Sequence, residues 1–233
     1  MRNALTEIGE MIIGCNDKQW FLKPSLRAMI NIGSPQDIVH TYAVLNGLDV
    51  RNAIEQCMNV FGGVVPVYVA KAINTKHYQR SILSAAQVVM QSCCDEDLTL
   101  MVGGWKNGKR GMVYVPGRMP VGDIVRLASH LMDHGIIGKS PLKQPQRHAE
   151  AGKTTQEFHA VEYISSARAH FGMTREQAED LSMTELQMMI KAKYPEPKGY
   201  TREEYDSLYE QRNKLRAERL KKEAEKKGAQ LNG

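Results

Sequence analysis

Gly152-Lys153-Thr154 is the first place in this chain where residue type and spacing suggest chemistry, because Gly-Lys-Thr ends a phosphate-binding loop. The full pattern needs a glycine five residues before Gly152 and a strand ahead of the loop, so that backbone amides can cradle the phosphates. That position is Arg147, and the surrounding segment reads as linker. Gly138-Lys139-Ser140 fails in the same way, with Asp133 at the required glycine. Cys93 and Cys94 are adjacent, whereas zinc ligands come in pairs spaced two to four apart with a matching second pair. Adjacent side chains on a helix also diverge by about 100°. His130 and His134 stand one helical turn apart, but no Glu follows His130 in the zinc-protease manner, and Gly135 is expected to end their helix. Asp95-Glu96-Asp97 reads as an acidic loop, and no Ser-His-acid set has the strand-to-helix elbow of a nucleophile. The sequence therefore points to no catalytic residue, no metal and no cofactor. It does not read as an enzyme.

The elements that would position any function begin with composition. With 42% hydrophobic and 24% charged residues, the 233-residue chain has enough apolar material for a real core. No apolar run reaches the roughly 20 residues of a membrane span, and the first ten residues lack a signal-peptide layout. Four scattered cysteines then read as reduced thiols. The net charge of +5 falls in the tail: from Gln211 onward there are eight Lys or Arg and three Glu, 8 − 3 = +5. A basic tail on a neutral body is weaker evidence for nucleic acid than a basic face would be, and nucleic acid is not expected as a partner.

Proline and glycine divide the chain into 1–140, a linker at 141–154, a small helical unit at 155–194 and a Pro-led basic helical tail at 195–233. The fold class expected is mainly α: a helical N-terminal domain with one β-hairpin, then the small unit and the tail. Ser34-Pro35-Gln36-Asp37 should start a helix burying Ile38, Tyr42 and Leu45 and stopping at Gly47. Further helices are expected over 50–61, 76–94 and 121–134. The hairpin is expected from Leu98–Val102 and Gly111–Val115 around Asn107-Gly108, a favoured type I′ turn. In the small unit, Phe158, Val161, Ile164 and Ala167 should form one stripe. Thr174–Gln177 and Ser182–Glu185 both read as capping boxes. The last two short helices could form a helix-turn-helix, although Glu185 at the start of the second suits phosphate poorly. A long charged helix with Tyr205, Leu208, Leu215 and Leu220 should follow Thr201.

Thirteen methionines suggest adaptable apolar surface. Two patches are candidates for holding a partner: Met183, Leu186, Met188 and Met189 in the small unit, and the run containing Val64 and Val67. Ordinary core is the plainer alternative for each.

Ala169-His170-Phe171-Gly172-Met173-Thr174, then Ala178 and Leu181-Ser182-Met183-Thr184-Glu185-Leu186, resembles a helical segment of the tail assembly chaperones of long-tailed bacteriophages. Phe21–Ser25, Asp37-Ile38-Val39 and Leu131–Lys139 are similar to phage tail-region proteins, so the likeness spans most of 20–195. The resemblance implies a virion-assembly protein of the host cytoplasm. It would bind the tape measure protein and keep it soluble while tail-tube subunits, the second partner, polymerise around it. Self-association stays open. In that family a shorter form ends near the linker and a longer one arises by ribosomal frameshift; this chain resembles the longer. Two rival readings are a DNA-associated phage protein using the basic tail and a structural head–tail component. The second would be found in purified virions.

Overall fold

Serine and threonine caps set where the helices begin. In the computed structural model, the described residues are 3–15, 18–64, 66–67, 71, 75–109, 111–139 and 156–195, with 207, 209, 211–213 and 216 beyond. The chain divides into two compact units, Met1–Ala192 and Lys193–Gly233.

The first unit opens with an antiparallel hairpin, β1 (Met11–Cys15) and β2 (Lys18–Leu22), in which Ile13 pairs with Trp20. Ser25 accepts the Ala28 amide and starts α1 (Leu26–Ile32). Ser34 and Asp37 form a reciprocal capping box at the start of α2 (Pro35–Leu45). Gly47, in the left-handed region, turns the chain into α3 (Leu48–Val60). Thr75 caps α4 (Lys76–Ser92), and a single turn, α5 (Thr99–Val102), leads into a second hairpin, β3 (Gly104–Gly108) with β4 (Gly111–Val115). Helix α6 (Val121–Met132) runs without a break into a π-helical turn, Asp133–Ile137, which ends at Gly138. After the linker come α7 (Ala160–Phe171), α8 (Arg175–Glu179) and α9 (Met183–Lys193).

One core unites these elements. Trp20 and Leu22 of β2 and Leu26 and Met29 of α1 meet Val89 and Met90 of α4 and Leu131 and Met132 of α6. The same cluster takes in Phe158, Ile164, Ala167, Leu181, Met183 and Leu186. Backbone and ions reinforce the join. The Leu26 amide donates to the Leu181 carbonyl at 2.8 Å, Lys23 pairs with Asp180 at 2.7 Å, and Arg27 pairs with Glu179 at 3.0 Å. Residues 156–192 thus share the core of residues 3–139, and the structure divides the chain beside the Pro195–Pro197 break instead. The expected linker, 141–154, lies outside the described residues. In the second unit, residues 207, 209, 211–213 and 216 are helical, while Tyr205, Leu208, Leu215 and Leu220 lie outside the described residues.

Mainly α is the class, with two hairpins where one was expected. In the second hairpin, Leu98–Val102 is not a strand. It supplies the turn α5, and Asn107-Gly108 belong to β3, with Gly108 facing Gly111 across the loop. Three buried side chains, Leu98, Met101 and Val102, explain this, because a helical turn can aim them all inward where strand alternation could not. Gly135 does not end α6. It is buried, and a Cβ there would meet Met29 Sδ at 2.7 Å, so the glycine admits close packing of the π turn on α1. In α7 the inward stripe is Ala160, Ile164 and Ala167, and Val161 is exposed. At α9 the Glu185 amide donates to Ser182 Oγ, as the expected capping box requires.

Candidate partner-binding surface

Helix α3 differs from its neighbours. Val50, Ile54, Cys57, Met58 and, just beyond, Phe61 recur at helical spacing and define one apolar stripe. Among the described residues of α3 none is buried. Its helical neighbour is α2, and Met58 and Phe61 remain 44% and 49% exposed. An amphipathic helix ordinarily spends such a stripe on the core of its own chain. Here it is only half covered: Val50, Ile54 and Cys57 are half-buried, and the stripe opens at Met58 and Phe61.

Beside the start of α3 lies an apolar cavity of about 460 Å³, walled by Val39 and Tyr42 of α2, Leu48 of α3, Ile137 of the π turn, and Phe158 and Tyr163. Phe158 and Tyr163 stack with ring centroids 5.2 Å apart. Asn52 and Glu157 give the rim its polar character. A concave apolar lining with few polar groups suits an apolar side chain or a helix face.

Electrostatics hold the π turn in place. His134 is buried, and its Nδ1 lies 2.9 Å from Thr184 Oγ1, which also accepts the Lys139 amide at 3.0 Å. Gln187 Nε2 donates to the Ile137 carbonyl at 2.6 Å, and Lys139 pairs with Asp133 at 2.6 Å. Burial, aided by the nearby Asp133 carboxylate, raises the Tyr42 pKa above its usual value. Burial, then the neighbouring His130 and Lys139, pulls the His134 pKa down from 6.5 to about 4. The edge-on ring contact of His130 with His134, 4.6 Å between centroids, is therefore packing. Among the described residues no group of three His, Cys, Asp or Glu could hold a metal ion. Burial also pushes the Cys93 thiol far up, which suits an inert core residue.

This gives a pH prediction. The unfolded chain takes a proton on His134 near pH 6.5 while the folded chain resists until about 4, so stability falls as pH drops through that window. His130, also pushed down by burial, adds to the slope. Glu185, raised by burial, works in the opposite sense and favours the folded state as it protonates. Urea unfolding midpoints should decline as pH is lowered from 7 to 4, and His134→Gln should flatten that decline.

The two sequence-picked patches fare differently. Met183 and Leu186 are 3% and 1% exposed and belong to the core, so they offer no surface. The reason is that the N-terminal turn of α9 packs inward, with Thr184 buried too. Met188 and Met189 are half-buried, Met189 against the core. Val64 and Val67 are 64% and 70% exposed and follow the open end of α3. Between them Val65, and beyond them Tyr68 and Val69, lie outside the described residues. Sequence reasoning placed a helix over 50–61 but did not single out its apolar stripe, although the spacing is visible.

A model described as a family of unknown function (DUF6246) matches residues 22–207, and the chain belongs to that family. The match begins at the end of β2 and stops short of most of the tail's basic residues. No curated protein and no solved structure matches the chain.

Proposed function

We propose that this chain is a non-enzymatic assembly chaperone, which holds an apolar helix of a partner protein against the stripe of α3 and the cavity beside it. The observation that carries the reading is the apolar stripe of Val50, Ile54, Cys57, Met58 and Phe61, half-buried over its first three residues and exposed at Met58 and Phe61. A 13-residue helix is about 20 Å long, enough to lie along several turns of another helix. The resemblance to phage tail assembly chaperones names the particular partner, a long helical tape measure protein, with tail-tube subunits as the second. On that reading the site of action is the host cytoplasm, and the protein leaves before the virion is complete. Val64 and Val67 are also exposed, beyond the end of α3.

Co-expression with the long helical product of a neighbouring gene tests it. The partner should be soluble with the wild-type chain. Ile54→Asp with Phe61→Asp should cut the soluble complex at least tenfold, because burying one such side chain contributes roughly 1.5–3 kcal/mol and about 1.4 kcal/mol is tenfold in affinity. The variant's own melting curve should hardly change, since neither residue is in the core. A partner equally insoluble with and without this chain would sink the proposal.

A further inference from the structure

Residues 179–185 close against residues 23–27 through both backbone and charge. The Leu26 amide donates to the Leu181 carbonyl at 2.8 Å, and Ser25 and Ser182 form an antiparallel bridge. Beside that backbone join, Lys23 Nζ lies 2.7 Å from Asp180 Oδ2 and 3.8 Å from Glu10 Oε1. Arg27, further along, is taken by Glu179 at 3.0 Å. Glu185 brings a third carboxylate under the influence of Lys23, Glu10 and Asp180. One ammonium therefore serves three acids.

Glu185 is also incompletely satisfied. Its carboxylate accepts a hydrogen bond from the Ser182 backbone, at the start of α9. Its Oε2 is buried, and among the described residues it is the only buried side-chain nitrogen or oxygen with no hydrogen-bond partner. A buried anionic oxygen without a donor costs free energy that a neutral carboxyl largely avoids. Burial raises the Glu185 pKa above its usual value. Lys23 and the Ser182 bond oppose that rise, and Glu10 and Asp180 add to it. The folded chain thus takes up this proton more readily than the unfolded chain. The stability it brings is complete at low pH and is lost as pH rises through the folded-state value.

We propose that this cluster is a proton-operated latch: a proton on Glu185 tightens the docking of residues 179–185 on residues 23–27, and its loss loosens it. Protonation leaves Lys23 to Glu10 and Asp180 and removes the unpartnered charge from the join. With the proton gone, three carboxylates compete for one ammonium, and the turn from Leu181 to Leu186 opens more often. Opening uncovers Leu181, Met183 and Leu186 on one side of the join and Leu26 and Met29 on the other, all of them core residues. The latch is separate from the α3 stripe, and its failure would leave the chaperone reading standing.

Two measurements on the full-length chain test it. With glutamate carboxyls labelled by carbon-13, NMR follows each one through a pH titration, and the Glu185 signal is the one missing from Glu185→Gln. It should titrate above the ordinary value of 4.5, and Glu10→Gln should move it lower. Gln at this position keeps an acceptor for the Ser182 amide, so the variant removes the charge and spares the cap. At pH 7.5 the Leu26 and Leu186 amides of Glu185→Gln should exchange with solvent about threefold or more slowly than those of wild type. At pH 4 the two chains should exchange alike. His134, whose Nδ1 lies 2.9 Å from Thr184 Oγ1, is common to both chains, so its own titration drops out of the comparison. A Glu185 carboxyl that titrates at or below 4.5 would overturn the proposal. So would exchange at pH 7.5 that is as fast in Glu185→Gln as in wild type, or a slowing that persists unchanged at pH 4.

Discussion

A chain ended at residue 145 should fail to fold cooperatively, giving insoluble protein or a broad, shallow melt in place of a sharp transition. It would lose Phe158, Ile164, Leu181, Met183 and Leu186 from the shared core. At roughly 1.5–3 kcal/mol for each large buried side chain, these amount to about 10 kcal/mol. The whole stability of a domain is only about 5–15 kcal/mol. The Leu26–Leu181 backbone bond and the Lys23–Asp180 and Arg27–Glu179 pairs would go as well. Calorimetry of the truncated and full-length chains decides the matter. A sharp, reversible melt from the short chain would show that residues 3–139 hold together alone. The outcome bears on the frameshift idea that the family resemblance implies, because a short product stopping near the linker would lack α7–α9. Such a product could serve only if another subunit supplied the missing face.

Trp20→Ala should cost about 3–5 kcal/mol, the range for emptying a large aromatic from a core. Trp20 is wholly buried between the first hairpin and the helices, and its Nε1 donates to the Asp97 carbonyl at 3.1 Å. Removing the ring leaves a cavity and deprives that carbonyl of its donor, two costs that add. For a domain of this size the melting temperature should fall by roughly 10–15 °C, followed by circular dichroism at 222 nm. Trp20→Phe keeps most of the volume and should lose clearly less. If Trp20→Ala melts within a degree or two of wild type, the first hairpin is not a working part of the core.

Much of the fold was legible because helix signals are local. Ser34-Pro35, Thr174 with Gln177, and the αL glycine at Gly172 mark ends that depend on a few neighbouring residues. What could not be read locally was which apolar stripe meets which. The spacing of Met183 and Leu186 is the same whether the helix faces solvent or α1, and only the fold puts them inside. The converse holds for α3, whose stripe has the same kind of spacing and is only half covered. The first hairpin was overlooked because Asn16-Asp17, the two residues between its strands in the sequence, include no glycine to draw attention to a tight turn.

The pairing of Leu26 with Leu181 has a consequence for biosynthesis. Residues 155 apart in the chain must meet before the first helix is satisfied. At about 5–20 residues per second, translation leaves Leu22, Leu26 and Met29 waiting on the order of ten seconds or more for the segment that covers them. During that interval the ribosome-bound chain is itself a client, with greasy side chains in need of shielding by the host's folding machinery. Slowing elongation upstream of codon 156 should therefore lower the yield of native protein, while slowing it after codon 195 should leave the yield unchanged.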